Sequence, residues 1–192
     1  MWNHETYDAL VALATGTTTL GPENASLQVK TYREGMAARA GHDLVIDVTR
    51  WEGSVAIAPD PESSTIELTA DPRSLEVREG LGGVRPLTDK DRTEIRGTID
   101  DKLLRGQPIE FRSSAVRPAD GGERLTVEGE LTMAGRTQPV TAQLEVDAQD
   151  RVRGTIALRQ SDWGIKPYRG LMGALKVRDE LEIVVDARLS GS

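Results

Sequence analysis

The stretch Ala38-Arg39-Ala40-Gly41-His42-Asp43-Leu44-Val45-Ile46-Asp47-Val48 sets an apolar residue at every second position, with His42 as the one exception. Successive side chains of a strand point to opposite faces, so Ala38, Ala40, His42, Leu44, Ile46 and Val48 share one face while Arg39, Asp43 and Asp47 take the other. The pattern predicts one β-strand along the whole arm, oily toward something enclosed and charged toward water. His42 then sits on the enclosed side and needs a partner. Either its imidazole donates to an oxygen of a bound ligand, or it bonds to a carbonyl of a neighbouring strand or to a carboxylate such as Asp162.

The same period of two recurs outward from this arm. Toward the N-terminus, Thr17–Leu20 ends at Gly21-Pro22, and Leu27, Val29 and Thr31 alternate. Next along the chain, Trp51, Gly53, Val55 and Ile57 alternate up to Pro59-Asp60-Pro61, and their nearness predicts that they pair with the arm. Ile66, Leu68 and Ala70 follow, then Leu75 and Val77, and after a gap Ile109 and Phe111. An Asp120-Gly121-Gly122 turn leads to Leu125, Val127, Gly129, Leu131 and Met133. Val140, Ala142, Leu144 and Val146 come next, then Val152, Gly154, Ile156 and Leu158, and Leu181, Ile183, Val185, Ala187 and Leu189 close the series. About eight short strands at regular spacing favour an antiparallel barrel or sandwich over any α/β fold.

One segment breaks the period. Ile95, Ile99 and Leu103 fall at spacing four between Thr88 and Leu104, which predicts an amphipathic helix. Thr88 is the N-cap, Asp89 and Asp91 stand in the first turn, and Gly106 and Pro108 stop the helix. Its stripe serves as a lid over an opening or as ordinary core. Arg92 and Arg96 on the same helix either meet an anionic headgroup or form a solvated face.

The chain has 192 residues, no cysteine and a formal net charge of −7. That length reads as one domain over 17–192 after a leader over 1–16. The acidic balance argues against nucleic acid, and against an anionic membrane surface as the main partner, though a local basic patch is compatible with it. The absence of cysteine excludes disulfides and thiolate metal sites. The leader carries His4, Glu5 and Asp8 before the short apolar run Ala9–Ala14 and lacks a basic start, so it does not read as a signal peptide; the expected location is cytoplasmic, without stable membrane insertion.

Seven segments in this order carry a family resemblance: Gly41-His42-Asp43-Leu44, Gly53-Ser54-Val55, Asp71-Pro72-Arg73-Ser74-Leu75-Glu76-Val77, Gln107-Pro108-Ile109-Glu110-Phe111-Arg112-Ser113-Ser114, the run from Val127-Glu128-Gly129-Glu130 to Gln138-Pro139-Val140, Ser161-Asp162-Trp163-Gly164-Ile165, and Val177-Arg178-Asp179-Glu180-Leu181. From about Thr17 to Leu189 the chain resembles the YceI-like family of polyisoprenoid- and lipid-binding proteins. It departs from the family at Ala134, where His is frequent, and at Gln107, where Tyr often precedes the proline. The resemblance implies an extended eight-stranded antiparallel lipocalin-like barrel, one helix packed near an end, and a long apolar pocket for a chain-like lipid. Foremost would be an isoprenoid quinone or polyprenyl phosphate, with a fatty-acid derivative second. It also implies that dimers are frequent and that many relatives carry an export signal.

On that reading Ala38, Ala40, His42, Leu44, Ile46, Leu68, Phe111, Leu131, Met133, Leu144 and Ile156 line the pocket, with Ile95 and Ile99 over it. The small residues Ala38, Ala40, Gly129, Ala142 and Gly154 leave room inside. Trp163 and Ile165 form a rim, and Leu171 and Met172, in the glycine-flanked run Gly170–Leu175, form a flexible mouth. The same inward residues would equally serve a filled core, in which case the protein is a stress-associated structural or interaction protein without a ligand. Catalysis finds little footing. Ser161, His42 and Asp162 can be written as a hydrolase set, but no nucleophile elbow or oxyanion hole accompanies them, and the only other histidine is His4. No metal or cofactor is expected, and Gly170–Leu175 lacks the helix and lysine of a phosphate cradle.

Overall fold

The computed structural model describes residues 15–119 and 123–189, so the leader up to residue 14 and the Asp120-Gly121-Gly122 turn lie outside the described residues. The strands are β1 (Gly16–Leu20), β2 (Ala25–Thr31), β3 (Arg33–Glu34), β4 (Asp43–Val48), β5 (Trp51–Ile57), β6 (Thr65–Ala70), β7 (Leu75–Leu81), β8 (Ile109–Ala119), β9 (Arg124–Met133), β10 (Arg136–Val146), β11 (Arg151–Arg159), β12 (Arg169–Gly170), β13 (Leu175–Val177) and β14 (Glu180–Arg188). Eleven of them form one antiparallel sheet in the order β1-β5-β6-β8-β9-β10-β11-β14-β2-β4-β7, curled into a half-barrel. β12, β13 and β3 make a separate three-stranded lobe. The helix α1 (Asp89–Gly97) runs on through wider π-type turns over Thr98–Leu104.

The fold is therefore mostly β with one helix, as the periodicity predicts, but it is not an eight-stranded closed barrel. No ladder joins β1 to β7 at the two ends of the sheet. Nor do β4 and β5 pair with each other: β4 pairs with β2 and β7, and β5 with β1 and β6. The cause is local. Thr49-Arg50 offers no Gly, Asn or Asp for the left-handed positions of a two-residue hairpin turn, so the chain bends without reversing.

The partner strands bend at the same level, through Asp71–Ser74. Thr49 N–H donates to Ser74 O at 2.9 Å and Asp71 N–H to Arg50 O at 3.0 Å, which carries the pairing round the corner. Ser74 is fully buried there, with its hydroxyl 2.8 Å from Asp71 O and 3.1 Å from Arg50 O. A two-residue link between strands standing tenth and second in the sheet draws its two ends together.

The arm itself is not one strand, as its alternation predicts, but two pieces. Only Asp43–Val48 is strand; Ala38–Ala40 is a 3-10 turn with Arg39 and Ala40 exposed. β4 gains partners only from Asp43 onward, opposite Leu81 on one side and, at Leu44, Thr31 on the other. Without a ladder to hold it extended, the Ala-rich segment curls on its own backbone, Ala38 N–H to Gly35 O and Gly41 N–H to Ala38 O.

α1 begins in a capping box. Thr88 Oγ1 accepts from Asp91 N–H, and the Asp91 carboxylate accepts from Thr88 N–H. Ile95, Ile99 and Leu103 pack on the core and Leu104 is buried in it. Arg92 donates to Val77 O and Arg96 pairs with Glu76 at 3.9 Å, so both cations moor the helix to β7 and neither is left for a headgroup.

Candidate functional site

The concave side of the curled sheet encloses an apolar cavity of about 280 Å³. Its wall comes from alternate residues of nearly every long strand, closed on one side by Ile99, Leu103 and Leu104 of the helix. Four polar residues reach the wall: Thr31, Ser64, Glu67 and Gln160. Ser64 Oγ accepts from Ala58 N–H at 3.1 Å, and Gln160 Nε2 donates to Arg178 O at 2.8 Å. The Glu67 carboxylate lies outside, 2.9 Å from Arg112 Nε. The space is lined by hydrocarbon, and its few hydrogen-bonding groups are mostly spoken for.

Of the residues expected to line a pocket, the structure brings Ile46, Leu68, Ile99, Phe111, Leu131, Met133, Leu144, Ile156 and Ile165 to this wall. It does not bring Ala38, Ala40, His42, Leu44, Ile95, Trp163, Leu171 or Met172 there. Leu44 and Ile95 pack at the edge of the core. Trp163 is buried, and its Nε1–H donates to Leu131 O at 2.8 Å, so the indole is a strut between β9 and the turn after β11. Leu171 and Met172 stand in solvent on the lobe.

His42 faces the loop between β7 and α1. Its Nε2 lies 2.7 Å from Arg85 O, which requires the proton on that nitrogen, and the ring sits against Gly83, where a Cβ would come within 2.4 Å of Nε2. Its partner is thus a protein carbonyl, from a loop and not from a neighbouring strand. Ser161 Oγ and N–H both bond to the Asp179 carboxylate, so Ser161, His42 and Asp162 do not converge on one another.

Two of the inward glycines leave no room. A Cβ on Gly129 would meet the Phe111 ring at 2.6 Å and Arg112 O at 2.5 Å, and one on Gly154 would meet Leu144 Cδ2 at 2.4 Å. Their missing side chains admit Phe111 and Leu144. Ala142, by contrast, borders the cavity.

Several wall residues belong to strands whose alternation is plain in the sequence yet stand outside the expected set: Trp51, Val55, Val127, Val140, Ile183 and Val185. The same period of two marks each of them. Trp51 is the most telling. It is 8 % exposed and packs along Gly53, with Cζ3 3.4 Å from where a Cβ would stand. Its Nε1–H is buried and has no partner; among the described residues Asp100 Oδ1 is the other such atom. Val116 also reaches the wall, because an irregularity in the β8–β9 register between Ser113 and Ala115 switches which residues of β8 face inward.

Outside the sheet, a shallow depression of about 720 Å³ beside the corner is lined by Glu23, Arg50, Glu52 and Asp71 among others and opens to solvent. At the rim of the curl, Tyr32 Oη donates to Glu182 Oε2 at 2.7 Å, which with partial burial pushes the phenol up to about 12. Arg178 lies over the same ring, 5.8 Å from its centre.

The backbone is similar to those of solved structures. BcnA of Burkholderia cenocepacia superposes with a TM-score of 0.60 at 17% sequence identity, over 84% of this chain and 94% of that one. The YceI protein of Campylobacter jejuni superposes with a TM-score of 0.52 at 11% identity, over 72% and 79%. At such identities the likeness is one of fold. No curated protein matches the chain in sequence. The model of the YceI-like domain matches residues 19–189, from within β1 to just past β14, and the chain belongs to that family.

Proposed function

We propose that the protein binds the hydrocarbon portion of an amphipathic lipid in the cavity, with a prenyl chain as the first candidate and a fatty-acyl chain as the second. The observation that carries this reading is an unfilled volume of about 280 Å³ bounded by Leu, Ile, Val, Phe and Met side chains from both halves of the sheet and from the helix. A filled barrel would have no such space. Family membership supports the same class of ligand, and the scattered positions of Ser161, His42 and Asp162 favour binding over catalysis.

The volume limits the ligand. At roughly 30 Å³ for each water-sized group, close to the share of a methylene, the cavity takes about nine chain carbons. Burying them contributes about 7 kcal/mol gross, which corresponds to a Kd near 10 μM before ordering costs. A longer prenyl chain must widen the cavity or leave its remainder outside. For the polar end, the Trp51 Nε1–H takes the place expected of His42, because a ligand oxygen would satisfy a donor that the protein leaves unpaired.

The test is a series of straight-chain alcohols and prenols, measured by calorimetry. Affinity should rise about fourfold per added methylene until about nine carbons and then level off. The two-unit geraniol should bind, and the three-unit farnesol should gain little over it. Ala142→Trp, which fills the cavity from β10, should abolish binding while leaving the fold intact. Absence of binding by every chain, or unchanged binding in Ala142→Trp, would show that the space is not a ligand site.

A further inference from the structure

We infer that the three-stranded lobe is a docking surface for an anionic lipid bilayer. Its apolar part is in plain view. Met36 and Met172 are fully exposed and Leu171 is more than half exposed. The segments that carry them are joined, since Ala37 N–H donates to Ala174 O and Ala174 N–H to Leu171 O, which ties the turn after β3 to the turn after β12. A monomer in water gains nothing from presenting two methionines and a leucine on one lobe.

The backbone holds them out. Leu171 and Met172 both lie in the left-handed region, at φ 48 and 55, a conformation that residues with a Cβ seldom adopt. A glycine or asparagine there would form the same turn without strain. Instead the turn carries two large apolar side chains and aims them at solvent.

Charge identifies the partner. Across residues 33–41 and 166–178, which build the lobe, the sequence has six cations and one carboxylate, Glu34, a net of +5 in a chain whose total is −7. Arg33 is engaged by Asp43 and Gly41 O, and Arg178 by Tyr32. Among the described residues, the side chains of Arg39, Lys166, Arg169 and Lys176 form no ion pair, including Lys176 beside its cross-strand partner Glu34. Exposed apolar side chains on the same lobe as unpaired cations match a bilayer with anionic headgroups: the apolar tips enter the headgroup boundary and the cations sit over phosphates. The overall net charge pointed the other way, but it averages over a molecule whose charge is segregated.

The lobe also grows from the cavity wall. β3 is separated by one residue from the wall residue Thr31, and the wall residues Gln160 and Ile165 precede β12 while Leu181 follows β13. The docking surface stands whatever the cavity holds.

The experiment is co-sedimentation of the full chain with phosphatidylcholine vesicles, with and without phosphatidylglycerol, at low and high salt. Enrichment on the anionic vesicles, weakened by salt, is the expected result. Arg169→Gln with Lys176→Gln should lower the partition coefficient about 25-fold, at about fivefold per cation. Met36→Ser with Met172→Ser should lower it further while circular dichroism and alcohol binding stay unchanged. Ala142→Trp should dock as the wild type does, so failure of docking and failure of the cavity reading are told apart. The inference is overturned if the wild type stays in solution with anionic vesicles, if the lobe variants partition like the wild type, or if sedimentation velocity shows a dimer that Met172→Ser dissolves, because the patch is then a contact between copies.

Discussion

The cavity wall and the rim above it are built from different forces, although the sequence draws both with similar alternation. On the wall, β8, β9 and β10 are paired along most of their length, and Val116, Leu125 and Val127 are almost fully buried. At the rim the arm before β4 has no ladder, and order comes from separate hydrogen bonds and ion pairs. Arg33 Nη1 donates to Gly41 O, His42 bonds to Arg85 O, and Arg85 pairs with Asp91. The difference teaches that period-two alternation reports which way a side chain points only where neighbouring strands hold the backbone extended. It also implies that the wall is governed by apolar burial and the rim by charge.

The sharpest way to break this contrast is to place a carboxylate in each region. Val127, 2 % exposed and on the cavity wall, should tolerate none: Val127→Asp is expected to cost about 4–5 kcal/mol or more, since the charge has no partner there. Ala40→Asp occupies the same inward parity of the predicted arm but lies in the exposed turn, and should shift stability by no more than about 0.5 kcal/mol. Urea denaturation of the two variants decides it. Equal losses would mean that the arm is packed strand after all.

How much of this was legible in the sequence follows the same division. The inward faces of β9, β10, β11 and β14 are readable because each strand alternates without interruption and pairs along most of its length. The helix is readable from Thr88 to Leu104, cap included, because its signals are local. The corner at Thr49–Arg50 is not, since it depends on Ser74 and Asp71 arriving from a distant segment to meet its backbone. Val116 is hidden by the irregular register of β8, which shifts parity without leaving a glycine or proline in β8 itself between Ser113 and Ala115. His42 looks inward by counting, but the count begins in residues that are not strand. The unpaired Trp51 Nε1–H could not be read at all, because lacking a partner is a property of the assembled neighbourhood.

A middle-sized effect sharpens the position of His42. His42→Ala removes one bond to a loop carbonyl and no wall contact, so the expected loss is about 1 kcal/mol. Affinity for a nine-carbon alcohol should be unchanged within error, whereas Trp51→Phe should weaken the alcohol and leave the corresponding alkane unaffected. Competition binding with the two ligands measures both. A tenfold loss of alcohol affinity in His42→Ala would move the histidine into the cavity and erase the distinction between wall and rim.

The smallest effect is acid sensitivity confined to the rim. Asp91 is held at about 2, below its ordinary 3.8, chiefly by the Thr88 backbone N–H and then by the Thr88 hydroxyl and the Arg85 guanidinium. A carboxyl whose folded value is depressed stabilises the fold above its unfolded value and loses that contribution as pH falls through the folded one. The cap of α1 should therefore be intact above about pH 4 and loosen between about pH 4 and pH 2, a window set by those two values. Amide shifts of Thr88 and Asp91 followed by NMR should titrate in that range and become flat in Asp91→Asn. Amides of Val116 and Val127, almost fully buried on the cavity wall, should not follow the Asp91 titration. If Asp91 instead titrates at its ordinary value, the capping box does not hold in solution and the rim is looser than its hydrogen bonds describe.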